Sequence, residues 1–229
     1  MLNIFKKKNI INNFKNIFID EADYTVIDTE LTGLKENKDT IIAIGSIKMK
    51  GKTIKIGEIF YRTINTNTPL NNEIVKIHGI TPSELNKCPD IKPILKEFLS
   101  FCKNSILIGH YVMIDLCFLK KEFNSHLDKT FDPPAIDTFL IYRWLVNKGI
   151  LIDKENYKSS LHDIAQSLGI QIKNLHHALS DAFITAQIFQ RFLTYLGDIK
   201  IYTVEELMKI GKPDLSKYMG IIKNEAYQL

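Results

Sequence analysis

The chain predicts an α/β fold: a mixed five-stranded sheet, built as a three-strand meander and then βα units, flanked by helices. Three observations carry that expectation. Strand-like stretches at 24–27, 39–49 and 53–64 come before any long helical pattern. Two short apolar runs, 105–109 and 135–137, then alternate with segments of helical period. Hydrophobic residues make up 45% of the 229, enough for a sizeable core in one domain with extensions.

The first strand ends in Asp28-Thr29-Glu30, with Gly33 as the turn beyond it. Side chains at i and i+2 of a strand share a face, so Asp28 and Glu30 are pushed together at the end of an apolar run. Adjacent carboxylates repel, and burial makes that worse. A divalent cation between them relieves it. An isolated Asp-x-Glu is more ordinarily a strand cap with a solvated turn, so this stretch needs support from the rest of the chain.

The second and third strands join around Lys50-Gly51-Lys52 as a hairpin, with Ile54, Ile56, Ile59 and Tyr61 alternating along the third. Gly51-Lys52-Thr53 imitates the end of a phosphate-binding loop. The motif needs Gly five residues earlier, where Ser46 stands, and a helix afterwards, where a strand follows. A short capped helix is expected over 71–78, closed by Gly79. Thr81-Pro82-Ser83-Glu84 opens the next one, with Thr as cap, Pro at the first position and Glu three after the cap. Helices follow over 91–102 and 115–124, the latter with Leu116, Phe118, Leu119 and Phe123 inward. Pro133-Pro134 breaks the chain before the last strand. Helices over 138–147, with the only tryptophan, Trp144, over 160–168, and over 178–196 complete the domain. A last helix is expected at 204–210, followed by a polar tail.

These elements divide the chain into an N-terminal extension (1–21), the main domain (22–195) and a C-terminal helix and tail (196–229). The extension mixes Lys, Asn and large apolar residues and suits a short amphipathic helix. It lacks the apolar core of a secretory signal and the Arg and Ser of an organellar one. No apolar run reaches membrane-spanning length, so no membrane partner is expected and the expected compartment is the cytoplasm. A net charge of +4, from 30 basic and 26 acidic residues, argues neither for nor against a polyanionic partner. Cys88, Cys102 and Cys117 show no metal or redox spacing and read as reduced thiols.

In open sheets of this kind, sites form at the carboxyl ends of central strands. The first strand delivers Asp28 and Glu30 there, and the strand at 105–109 delivers the loop 110–115. Asp115 alone reads as a helix cap. Asp181 alone reads as compensation of a helix dipole. His176, in the loop five residues before Asp181, alone reads as solvated. Asp28-Thr-Glu30-Leu-Thr-Gly33, Gly109-His110-Tyr-Val-Met-Ile-Asp115 and His176-His-Ala178-Leu-Ser-Asp181-Ala182 nevertheless occur in that order.

Together the three segments resemble the DEDDh 3′–5′ exonucleases, the family of the proofreading ε subunit of bacterial DNA polymerase III. The resemblance covers about residues 22–195 and includes Val75-Lys-Ile-His78-Gly79-Ile80. It implies a ribonuclease H-like fold, with Asp28, Glu30, Asp115 and Asp181 as metal ligands and His176, rather than His177, as the general base. The family often has Asn and Phe where this chain has Tyr111 and Ile114, a departure that touches substrate contact rather than the acids.

Four carboxylates without cysteine form a hard oxygen set suited to Mg²⁺ or Mn²⁺. The resemblance implies two such ions: Asp28 shared between them, Glu30 and Asp181 on one, Asp115 on the other. Candidate substrate contacts are Leu31, Thr32, His78 and Tyr111. The expected activity is release of nucleoside 5′-monophosphates from single-stranded 3′ ends, DNA preferred over RNA, with a DNA polymerase subunit as a possible partner. RNA or short oligonucleotides as substrate, and a catalytically silent nucleic-acid-binding or polymerase-docking module, stay open on sequence alone.

Overall fold

The structure, a computed structural model, describes residues 16–152, 160–172 and 176–214. Five strands form one sheet in the order β3-β2-β1-β4-β5. β1 (Asp23–Leu31), β2 (Ile41–Lys50) and β3 (Thr53–Thr63) are the antiparallel meander; β4 (Ile106–Gly109) and β5 (Ala135–Asp137) extend it in parallel. The mixed sheet is the one the sequence predicts, with β1 at its centre.

Strand alternation sorts the core into two halves. Tyr24 and Val26 of β1, with Ile106 and Ile108 of β4, pack into one cluster; Ile27 and Leu107 enter the other. The second face is covered by α3 (Ile91–Phe101) and α4 (Met113–Leu127), through Ile94, Leu95, Phe98, Phe118 and Phe123. Before them come two short helices, α1 (Asn72–His78) and α2 (Pro82–Leu85); α2 carries the expected capping box between Thr81 and Glu84. The first face is covered by α5 (Thr138–Asn147), α6 (Leu161–Ser167), α7 (Ala178–Asp198) and α8 (Val204–Gly211). α7 runs beneath β1 and β2, and Phe189 meets Tyr24 edge-on at 5.0 Å, a contact that adds about 1 kcal/mol to the area it buries.

Both ends of the described chain are sewn to this core. Phe18 bridges Thr203, Ile19 N–H donates to Tyr202 O at 2.8 Å, and Val204 N–H donates to Ile17 O at 2.9 Å. Ile19, Ala22, Val204 and Leu207 lie in the same cluster as Tyr24. The amphipathic helix expected in the extension lies outside the described residues over 1–15, and 16–20 form a turn and this bridge. The tail beyond 214 also lies outside them. No described helix is long and apolar enough to cross a membrane.

Candidate metal and catalytic site

β1 runs buried from Tyr24 to Ile27, then reaches its carboxyl end at the rim of the sheet, with Asp28, Thr29 and Glu30 only partly exposed. Asp28 and Glu30 share the face of Tyr24 and Val26, beneath which α7 passes. α7 brings Asp181, in its first turn, to that face. One carboxylate oxygen from each of Asp28, Glu30 and Asp181 lies within 4.8 Å of the others. Asp115 arrives from the opposite side: α4 covers the other face, and Asp115 meets Thr29, whose side chain points that way. The strand end is therefore straddled by acids. This explains why Asp115 stands outside the tight trio while still exerting the largest single charge effect on Asp28.

α7 comes this close because β2 has no side chain at Gly45. Gly45 is the register partner of Asp28. A Cβ built there would fall 2.2 Å from Ala178 C and Leu179 N, so the start of α7 rests directly on β2 backbone. The same row continues to Tyr61 on β3, whose ring stacks on His177 at 4.6 Å.

The electrostatics follow from crowding. Burial, then Asp115, Glu30 and Asp181, hold the Asp28 carboxyl well above the usual carboxylate range. Burial, then Asp181 and Asp115, push Glu30 up to about 7. Asp115 is pushed up to about 7 by burial first, although the Thr29 hydroxyl acts against that. Asp181 is raised by burial and eased by His176 and His177. Such a group ionises fully only against added positive charge. Two of its buried oxygens, Glu30 Oε1 and Asp181 Oδ1, have no hydrogen-bond partner, as ligand atoms awaiting a cation would. Hard oxygen donors at this spacing fit a divalent metal ion.

The other sequence-identified residues fall as follows. His176 is exposed, with left-handed backbone (φ 59°), and its N–H donates to Asp181 Oδ2 at 3.1 Å. His78 closes α1 and is buried. Its Nδ1 accepts from Ile80 N–H at 3.0 Å, so its proton sits on Nε2, which has no partner; burial and then His176 keep its pKa low. Tyr111 also has left-handed backbone (φ 53°) and lies against Phe139 at 4.5 Å. Leu31 packs on the second cluster. Thr32 is buried, and its hydroxyl is engaged within the turn, donating to Asp39 Oδ1 and accepting from Thr40 N–H, both at 3.1 Å. Asp115 is the third residue of α4 rather than its cap, since the helix begins at Met113. Sequence reasoning missed Thr29, Gly45, Tyr61 and Asp137.

Comparison with known proteins gives three findings. The RNase_T family model, described as Exonuclease, matches residues 25–189. Among curated relatives, the PolC-type DNA polymerase III of Caldanaerobacter subterraneus is 33% identical over 83% of this chain. That match is 13% of the relative, so the chain spans about an eighth of the PolC-type proteins it resembles. The DNA polymerase III subunit epsilon of Aquifex aeolicus is 32% identical over 77% of this chain and 83% of its own. Among solved structures, E. coli Exonuclease I in complex with a dT13 oligonucleotide superposes with TM-score 0.70 at 17% identity, covering 78% of this chain and 42% of that one. Exonuclease X in complex with 5′-overhanging duplex DNA gives 0.61 at 19%, covering 82% and 98%. At those identities the superpositions speak to the fold.

Proposed function

The chain belongs to the RNase_T exonuclease family, and from that premise we propose that it hydrolyses phosphodiester bonds at single-stranded DNA 3′ ends, releasing nucleoside 5′-monophosphates in proofreading or repair. The observation that carries the reading is the convergence of Asp28, Glu30 and Asp181 within 4.8 Å, with Asp115 on the other side of the same strand end.

Asp28, Glu30 and Asp181 would hold one Mg²⁺ or Mn²⁺, and Asp28 with Asp115 a second. When bound, the ions neutralise the acids and stabilise charge on the attacked phosphate. The work of the side chains follows from their positions. His176 is the general base: its backbone is tied to Asp181 while its ring remains exposed to take a proton from water. His78 offers an Nε2–H donor to the terminal nucleotide. Leu31 and Tyr111 give that nucleotide apolar and aromatic surface, as single-strand ends require. Thr32 acts from within the turn that follows Leu31, the last residue of β1. The polymerase III names of the relatives favour DNA over RNA and a polymerase subunit as partner, and with them a cytoplasmic setting.

The test is hydrolysis of end-labelled single-stranded DNA and RNA of matching sequence, with Mg²⁺ or Mn²⁺ and a chelator control. Mononucleotides should appear from the 3′ end, faster from DNA and not at all with chelator. Faster RNA cleavage would transfer the chemistry to RNA. Binding without hydrolysis in either metal would make the chain a silent nucleic-acid module.

A further inference from the structure

The turn between β4 and α4 is built from outside itself. Gly109 and Asp137 are register partners at the ends of β4 and β5. Asp137 is wholly buried, and its carboxylate accepts three backbone N–H groups: Oδ1 from Tyr111 at 3.2 Å and Phe139 at 2.8 Å, Oδ2 from Val112 at 2.9 Å. The bond from Phe139 is an ordinary cap for α5. The other two come from a segment 25 and 26 residues earlier, which no helix cap requires. Thr138 continues the cradle: its hydroxyl donates to Gly109 O at 3.2 Å and lies 3.0 Å from His110 Nδ1. Phe139 lies under the Tyr111 ring. The turn is tight enough that a Cβ on Gly109 would fall 2.7 Å from Val112 Cγ2.

This turn leads straight into α4, whose cap position, Val112, has no side-chain cap bond. The first turn of α4, and with it Asp115, is therefore set by what holds residues 109–112. We propose that Asp137 is a positioning residue for Asp115 and Tyr111: it templates the turn so that Asp115 reaches Thr29 and the metal-binding acids, while Tyr111 keeps its left-handed backbone. The inference rests on the metal reading above. It assigns Asp137 no contact with metal or substrate; the role rests on the backbone N–H groups that its carboxylate holds in the turn and at the start of α5.

Asp137→Asn preserves shape but sets an NH₂ against one or two backbone donors. Thr138→Val is the milder second variant. Mn²⁺ binding, followed by the EPR signal of free Mn²⁺, reads the effect without hydrolysis. The half-saturating Mn²⁺ concentration should rise about 10-fold in Asp137→Asn and less in Thr138→Val, in line with residues that orient ligands. In the oligonucleotide assay kcat should fall about 10- to 100-fold with KM changed far less. A purely structural role would lower the melting temperature and leave the Mn²⁺ midpoint of the folded variants at the wild-type value, which overturns the proposal. Wild-type protein that bound no Mn²⁺ would instead overturn the metal reading beneath it.

Discussion

The Thr29 hydroxyl donates to Asp115 Oδ1 over 2.6 Å, joining residues 86 apart in the chain. It locks an acid on α4 to the strand that carries Asp28 and Glu30, and it favours the ionised form of Asp115. Thr29→Val keeps the β-branched shape and removes the donor. It should lower the hydrolysis rate about 10- to 100-fold, while Thr29→Ser stays near wild type. Equal rates for Val and Ser would mean that Asp115 is held without this bond.

Asp28 sits between the other acids, and its two roles separate by experiment. Asp28→Asn should abolish hydrolysis with the fold intact. In chelator at pH 8 the same change should stabilise the protein, because it removes a carboxyl whose ionisation burial, Asp115, Glu30 and Asp181 all oppose. Denaturant titration measures the second effect. A near-wild-type rate would remove Asp28 from the chemistry, and a loss of stability would show that its charge is already compensated.

The pH dependence of the metal-free protein has a definite sign. Glu30 and Asp115 have folded-state values of about 7, above their ordinary 4.5 and 3.8. The folded state therefore binds protons more tightly than the unfolded one. Their contribution to stability is complete below about pH 4 and is lost as pH rises through about 7. Denaturation midpoints in chelator should fall between pH 5 and pH 8, and Mg²⁺ should restore them at pH 8, where it faces least competition from protons. A midpoint that rose over this window without metal would contradict the crowding of these acids.

Much of this was legible in the chain because it is local. Strand alternation, the capping box at Thr81 and the apolar stripe of α7 are written within a few residues each. So is Asp28-x-Glu30, since a strand's period of two puts both on one face whatever else the fold does. Thr29, Asp137 and Gly45 were not legible, because each acts on a distant partner. A threonine between two acids, an Asp at a strand end and a glycine inside a strand all have ordinary local explanations. Their function depends on which helix covers which face. Thr203 with Glu206 is a second capping box of this legible kind, a Thr three residues before a Glu at the start of an apolar run, which the sequence reading passed over.

His176 and His177 are adjacent yet differently employed. The bond from His176 to Asp181 uses the backbone N–H, so replacing its side chain leaves that tie in place. Asn suits the left-handed conformation and lacks the imidazole. His176→Asn should lose about 10²–10⁴-fold in rate, the usual worth of a general base, with Mn²⁺ binding retained. His177→Asn should lose far less, since its ring is stacked on Tyr61. The reverse order of effects would move the base by one residue.

Gly45 gives the sharpest test of how the site is assembled. The atoms that a Cβ would strike at 2.2–2.4 Å are the backbone of Ala178 and Leu179, which no rotamer change moves aside. Gly45→Ala must therefore lift the start of α7 from β2, and Asp181 moves with it. Overpacking of this kind costs about 1–3 kcal/mol. The larger effect should be on the site, with hydrolysis reduced about 100-fold or more and Mn²⁺ binding weakened, as expected when a ligand is displaced by about an ångström. Gly57→Ala on β3 is the control: nothing lies within 4 Å of its Cβ position, so rate and metal binding should match wild type. If Gly45→Ala matched its control, Asp181 would not depend on that close approach, and the trio would have to be held together by the later turns of α7 instead.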